Sequence, residues 1–427
     1  MIVMKRWIVL GFVFVLSFSI RYTITTLTPE RNVWIDLFIY IDGGQLIANG
    51  VNPYDYNDEP LLRDSLRTDG IAFDHYTSES QDRWNFYASG NLPLTLLYFG
   101  AIEQMAQGDP FIYRVVFAFM DSILCVVLTM FIYTYWNTSE KNKFLVAIGL
   151  GTLSPILLSA GTFLPEDKGV QILLMVGATY FSKKKEFFLA TLLLGWSVAF
   201  KGLGVFIAPV CLYYYLGEIK RSEILSITIL KRSLLFALAS LLFAFQPFIF
   251  YLSDILSMMK LRLSQNFVSE SPQHSSIWVF TRVLFPDSWM DIKFIFSLFF
   301  VSINLIGILR GKLGVNVVTA SLLIWFTIMM MLSGSVDRLN IAMAVSLVLL
   351  GVSHTKGGIF LTMYYAFAGA MSLAYVMMVF QGKYALPAGF GTDTIASPFC
   401  LGFVFVYTII ITHYALKDYH FRWSSGI

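Results

Sequence analysis

Charge is what this sequence has least of. Only 13% of its 427 residues are Asp, Glu, Lys or Arg, against 57% that are hydrophobic. Most of such a chain cannot face water, which excludes an ordinary soluble domain. The 30 Lys and Arg nearly balance the 27 Asp and Glu, and the clusters of basic residues fall in short connections, an arrangement that argues against nucleic acid as a partner. Cysteine is scarce as well. Cys125, Cys211 and Cys400 lie inside apolar runs without metal-ligand spacing, so neither a disulfide framework nor a zinc site is indicated. The first apolar run, 7–27, follows Lys5 and Arg6 but lacks a small-residue cleavage site; it reads as a retained helix rather than a signal peptide. Repeats of solenoid period are absent, and no inverted repeat of the transporter type is visible.

What the sequence does have is hydrophobic runs. They recur at 7–27, 111–136, 144–163, 169–182, 187–200, 202–217, 233–252, 293–309, 314–332, 338–352, 359–380 and 398–415. The expected fold is therefore an all-α polytopic membrane protein, a single integral-membrane domain over 1–427 with about 12 transmembrane helices. Several central runs fall short of the roughly 20 residues that a perpendicular helix needs, as helices flanking a cavity would.

Basic residues in short connections give the orientation. Lys141 and Lys143, Lys183 to Lys185, Lys220 and Arg221, Lys231 and Arg232, Arg310 and Lys312, Lys356, and Lys417 with Arg422 share one side if the amino terminus is cytoplasmic. The same parity makes 28–110 a large first outer (or lumenal) loop and 253–292 a second one. It also makes "NLPLTLLYFGAIEQMA", Asn91 to Ala106, a re-entrant or interfacial helix, because counting it as a span would move the Lys183 cluster outside. Asn137-Thr138-Ser139 has the form of a glycosylation acceptor but falls on the cytoplasmic side. The expected location is the plasma membrane of a prokaryote or the endoplasmic reticulum of a eukaryote.

The outer side gathers the polar residues. In "WIDLFIYIDGGQLIANGVNPYDY", Trp34 to Tyr56, Leu37, Ile41, Gly44 and Ala48 recur at three- and four-residue steps, which predicts an interfacial helix with one buried face. Gly50 to Pro53 ends it. Asp36 and Asp42 are six apart, about 240° around that helix, and cannot act as a close pair.

This stretch resembles the first outer loop of multi-spanning glycosyltransferases of the GT-C superfamily, most closely the mannosyltransferase-like branch, glycosyltransferase family eighty-seven. The residues that carry the resemblance are Asp36, Tyr40, Gly43, Gly44, Gly50 and Pro53-Tyr54. "SGNLPLTLLYF", Ser89 to Phe99, is similar to that branch's Tyr-Pro-Pro-Leu segment, with Pro93 alone of its two prolines. "LGWSVAFKGLGVFIAPVCLYYY", Leu194 to Tyr215, is similar to its apolar helix, Lys and returning Pro-containing helix. Where relatives carry Gly-Gln-x-Asn, this chain departs with "FLPEDKGVQ", Phe163 to Gln171. The three motifs span roughly the first half of the chain.

The resemblance implies an inverting hexosyltransferase that takes a sugar, mannose by family, from a polyprenyl-phosphate carrier. The acceptor would be a lipid, glycan or protein on the outer face. Asp36 would be the catalytic base, and Lys201 would carry over as a donor-phosphate contact. Physical chemistry agrees with such a scheme: transfer to a hydroxyl needs a base near it and positive charge near the departing phosphate. One carboxylate suffices because phosphate leaves without a protonating acid, unlike the paired carboxylates of glycoside hydrolysis. No cofactor is required, since cationic side chains can hold a monophosphate, although an acidic first loop leaves room for a divalent ion.

Tyr40, Tyr54, Asp42, Glu166, Asp167, Arg262, Gln265, His274 and Arg338 complete the set of candidate substrate-binding residues, with Trp34 shaping the sugar site. Blander readings stand beside these. Asp36 could cap the interfacial helix or pair with Arg31, Lys201 could snorkel, and Glu166 to Lys168 could be a solvated turn. His274 could be a surface histidine, and Arg338 could merely pair with Asp337. Asp121 reads as a structural acid paired with Arg114, seven residues earlier. The rival functions are a transporter or lipid flippase, with ionisable residues near the bilayer midplane, and a surface-polysaccharide polymerase or ligase.

Overall fold

A computed structural model describes residues 2–27, 35–50, 92–135, 139–158, 167–217, 226–249 and 284–295, with the single residues 52, 162, 251 and 298. Among the described residues the chain is helical, without strands. Helices α1 (Ile2–Leu27), α2 (Ile35–Ala48), α3 (Pro93–Ala106) and α4 (Pro110–Tyr135) come first. Then follow α5 (Glu140–Ala147), α6 (Pro155–Leu158), α7 (Lys168–Lys183), α8 (Phe187–Lys201), α9 (Ala208–Leu216) and α10 (Ile227–Phe245). Among the described residues three segments are long and apolar enough to cross a membrane: Arg6–Leu27, Pro110–Thr134 and Ile227–Phe248. α1 and α10 leave large side chains such as Trp7, Phe12, Leu234 and Leu242 more than half exposed, a surface that lipid can cover and water would penalise. The runs expected beyond residue 298 lie outside the described residues, as does the rest of the second outer loop's polar stretch.

The chain divides into two compact units, Met1–Gly177 with Thr191–Val205 and Leu238–Val268, and Ala178–Ala190 with Phe206–Ala237 and Ser269–Ile427. In the first unit, α1 packs along α4 and α2 along α3. The α2 helix ends as its sequence predicts, with Gly50 in the left-handed region at φ 71°, where glycine pays no Cβ penalty. Leu37, Tyr40, Ile41, Gly43, Gly44 and Leu46 are buried and Asp42, Gln45, Ile47 and Ala48 half-buried, so the described part of α2 is covered on more than the one face that its sequence predicts. Leu37, Tyr40 and Ile41 join Phe99 and Ile102 of α3 and Tyr113 and Phe117 of α4 in one apolar cluster. Tyr40 stacks on Phe99 with ring centroids 4.4 Å apart. Burying each such side chain is worth about 1.5–3 kcal/mol. A Cβ at Gly44 would overlap the Tyr113 hydroxyl and come within 2.8 Å of the Phe99 carbonyl oxygen, so the close approach of α2 to α3 depends on that glycine. α3 stops at left-handed Gln107 and Gly108. The Asp109 carboxylate then accepts the Phe111 N–H at 2.8 Å and opens α4, which has Pro110 as its first residue.

Two predicted runs are broken rather than continuous. The run 144–163 becomes α5, a wide turn over Ile148–Thr152 and then α6; Gly149, Gly151 and Pro155 give it little helical preference. The run 202–217 opens with a tight 3₁₀ turn, Leu203–Ile207, before α9, with Pro209 in the first turn of that helix.

Candidate functional site

The hairpin of α7 and α8 belongs in part to the first unit, and there it brings a carboxylate and an ammonium together. Asp167 precedes α7, and its carbonyl oxygen accepts the N–H groups of Val170 (3.1 Å) and Gln171 (3.3 Å), so its backbone starts the helix. Lys201 ends α8, where Gly202 at φ 75° turns the chain. The Lys201 ammonium donates to Asp167 Oδ1. Tyr40, reaching from α2, donates its hydroxyl to the same oxygen at 3.4 Å, and the ammonium lies 5.9 Å from the Tyr40 ring centroid. Asp167 is fully buried and Lys201 keeps 26% of its side chain exposed. The ends of α7 and α8 are tied further: Gln171 Nε2 donates to the Ser197 carbonyl at 3.3 Å, and the Thr95 hydroxyl of α3 donates to the Phe200 carbonyl.

Several buried oxygens of the first unit keep unused capacity. Asp167 Oδ2, Gln171 Oε1, the Tyr98 hydroxyl and the Thr162 hydroxyl have no hydrogen-bond partner among the described residues. A buried polar atom left unmade costs about 1–3 kcal/mol. Burial, then the Asp167 and Asp121 carboxylates, push the Tyr98 hydroxyl well above its ordinary pKa of 10.0, so it stays a neutral donor. Two of the four atoms, Asp167 Oδ2 and Gln171 Oε1, can only accept, and the arrangement is suited to a ligand that supplies hydroxyl hydrogens.

A second buried ion pair lies beside the first helices. Arg21 Nε of α1 stands 3.7 Å from Asp121 Oδ2 of α4, and both residues are buried. The same guanidinium donates to Ser17 Oγ at 2.6 Å and to the Gly151 and Thr152 carbonyls at 3.4 Å, in the broken segment between α5 and α6. Asp121 also reaches the start of α7: a Cβ at Gly169 would overlap its Oδ1 and lie 2.9 Å from its Cγ. Asp121 is thus a paired structural acid, but its partner is Arg21, not the expected Arg114. The expectation looked one helix along, where the i,i+7 neighbour is visible, whereas the partner lies 100 residues away in the chain.

A third polar group sits on the other side of α2. Glu103 is buried and accepts the Tyr113 hydroxyl at 2.9 Å. Burial raises its pKa above the ordinary 4.5, although hydrogen bonds from Tyr113 and Gln45 and from the Gly108 backbone pull the other way. Asp42, half-buried, carries a charge felt by Tyr113, so it belongs to this side rather than to the Asp167 pair.

Of the sequence candidates, Tyr40, Asp167 and Lys201 come together and Asp42 does not join them. Asp36 lies one turn ahead of Tyr40 on α2, and its side chain is outside the described residues, as are Trp34, Tyr54, Glu166, Arg262, Gln265, His274 and Arg338. Tyr98, Gln171 and the Arg21–Asp121 pair escaped the sequence reading. An Arg near the outer end of a predicted span and an Asp inside the next were the available signal. No three His, Cys, Asp or Glu side chains converge among the described residues, so the donors of a metal ion are not assembled there. Comparison with protein-family models, with curated proteins and with solved structures finds no match to this chain.

Proposed function

We propose that this chain is a polytopic, inverting glycosyltransferase of about 12 transmembrane helices that moves a hexose from a polyprenyl-phosphate carrier to an acceptor on the outer membrane face. The observation that carries the reading is the meeting of Tyr40 and Lys201 at the Asp167 carboxylate. Two of the three motifs that resemble the GT-C superfamily thereby contribute to one polar site inside an apolar helical framework. Asp36, four residues before Tyr40 in α2, is the residue that would deprotonate the acceptor hydroxyl.

Asp167 changes the role expected of Lys201. An ammonium at a helix end within a bilayer is costly without an anionic partner, and the resemblance offers the donor phosphate as that partner. In the resting protein the carboxylate takes the place. Donor binding would then share or displace the Asp167 contact, which leaves Lys201 charged and positioned before the phosphate arrives.

One observation favours the transporter or flippase reading instead. Arg21 and Asp121 form a buried ion pair between two segments able to cross a membrane, and ionisable residues inside spans often mark transport pathways. Against it, Arg21 spends its remaining donors on Ser17 and on the Gly151 and Thr152 carbonyls of the Ile148–Thr152 turn, as a structural staple would. Transfer of radiolabelled hexose from a polyprenyl-phosphate donor by the purified protein in nanodiscs tests the proposal. Loss of transfer in Asp36→Asn supports it, and full activity in that folded variant removes Asp36 from the mechanism.

A further inference from the structure

Residues 178–190, 206–217 and 226–237, all in the second unit, carry five basic side chains, Lys183, Lys184, Lys185, Lys231 and Arg232, and one acidic one, Glu186. Three of the five converge on adjacent tyrosines at the end of α9. Lys183 Nζ lies 5.1 Å from the Tyr214 ring centroid, and the Arg232 guanidinium 5.3 Å from that of Tyr215. The Lys185 ammonium donates to the Tyr215 carbonyl at 2.9 Å and also to the Tyr214 carbonyl. Phe236, one turn beyond Arg232, stacks on Tyr215 with centroids 5.0 Å apart, which fixes the ring beneath the guanidinium.

Lys185 meets carbonyl oxygens here and Arg232 a ring face. Lys185 sits at φ 64°, a left-handed position where glycine is favoured, and so the chain accepts backbone strain to put an ammonium there. Burial, and secondarily the Arg232 charge, lower the Lys185 pKa from its ordinary value; burial lowers that of Lys183 to about 8. Rings and carbonyl oxygens relieve such charges only in part, whereas a phosphate would accept from both Lys185 and Arg232. Both of these residues are exposed and reachable by one.

The same helix that carries Arg232 also tells what kind of phosphate. Leu230, Leu234 and Leu235 of α10 are each more than half exposed, and they flank Lys231 and Arg232. A soluble phosphate has no use for them, but acyl chains do. We propose that Lys185 and Arg232, arranged around Tyr214 and Tyr215, bind the phosphate of an anionic phospholipid whose acyl chains lie along the start of α10. This site is independent of the sugar-transfer reading.

The test uses the full-length protein in nanodiscs of phosphatidylcholine containing a minor fraction of phosphatidylglycerol, followed by quantification of the lipid that co-purifies after detergent extraction. Phosphatidylglycerol is expected to be enriched over phosphatidylcholine. Arg232→Gln should lower the enrichment about fivefold at low salt, the usual effect of one basic residue at an anionic membrane surface, and Arg232→Lys should keep most of it. Lys185→Gln should have a similar effect if it folds; because Lys185 also caps α9, Arg232→Gln carries the test where it does not. Equal retention of the two lipids would overturn the site. So would an equal loss in Lys141→Gln, a basic residue outside the cluster, or displacement of phosphatidylglycerol by inorganic phosphate at matching concentration.

Discussion

Lys201, the last residue of α8, donates to the buried carboxylate of Asp167, the residue that starts α7. The two are 34 residues apart, and the contact closes the α7–α8 hairpin at the end where Tyr40 of α2 also arrives. Breaking a buried ion pair from one side leaves a bare charge and costs about 3–5 kcal/mol. Here 26% of Lys201 remains exposed, so water offsets part of that, and Lys201→Ala should cost about 2 kcal/mol. Asp167→Asn in the Lys201→Met background should recover part of the loss. Unfolding in detergent by denaturant titration measures both, and strict additivity of the two changes would contradict a direct pair.

Gly169 gives a second prediction. Its Cβ position overlaps the Asp121 carboxylate, which is held by Arg21 and has little room to withdraw. Gly169→Ala should destabilise by about 1–3 kcal/mol, the usual range for overpacking. Asp121→Ala removes the clashing atoms but strands Arg21, at a cost of about 3–5 kcal/mol. In the double variant the Gly169→Ala penalty should therefore nearly vanish against the Asp121→Ala background. A penalty of equal size in both backgrounds would show that α7 and α4 do not meet there.

Glu103 predicts a pH dependence. Its folded-state pKa is raised above the ordinary 4.5, chiefly by burial, so the folded protein holds this proton more tightly than the unfolded chain. The stabilisation is fully present below about 4.5 and is lost as pH rises through the folded value. The melting temperature in detergent should fall over that window, and Glu103→Gln should flatten the fall. Tyr113→Phe removes a hydrogen bond that favours the carboxylate and should move the fall to higher pH. An unchanged pH profile in Glu103→Gln would assign the dependence to another group.

Much of the helical order was legible because run length and punctuation are local properties. The 111–136 run is α4, the Lys201 run end is the end of α8, and Gly50 closes α2 where the sequence places its stop. Partnerships were not legible. Asp121 pairs with Arg21 across two helices, and Lys201 meets Asp167 where a phosphate was expected; nothing in local spacing distinguishes such partners from nearer ones. The break between α5 and α6 is intermediate, since Gly149, Gly151 and Pro155 announce weakness in the run, while the Arg21 side chain that donates to the Gly151 carbonyl comes from 130 residues away.

The proposed topology makes an accessibility prediction. With the amino terminus cytoplasmic, a single cysteine near Asp58 should react with an impermeant maleimide added to intact cells, and one near Lys184 should react only after lysis. The opposite pattern would invert the arrangement and put the Asp167–Lys201 site on the side where lipid-linked donors are not presented.

Sugar transfer tests the central claim most directly. Purified full-length protein in nanodiscs, given polyprenyl-phosphate hexoses with radiolabelled sugar and membrane-derived acceptors, should form labelled product. Asp36→Asn should lose activity by at least about a hundredfold, as removal of a general base does. Lys201→Ala should chiefly weaken donor binding, while Asp42→Asn retains turnover. Absence of transfer from every donor, or full activity in a folded Asp36→Asn protein, would contradict the account.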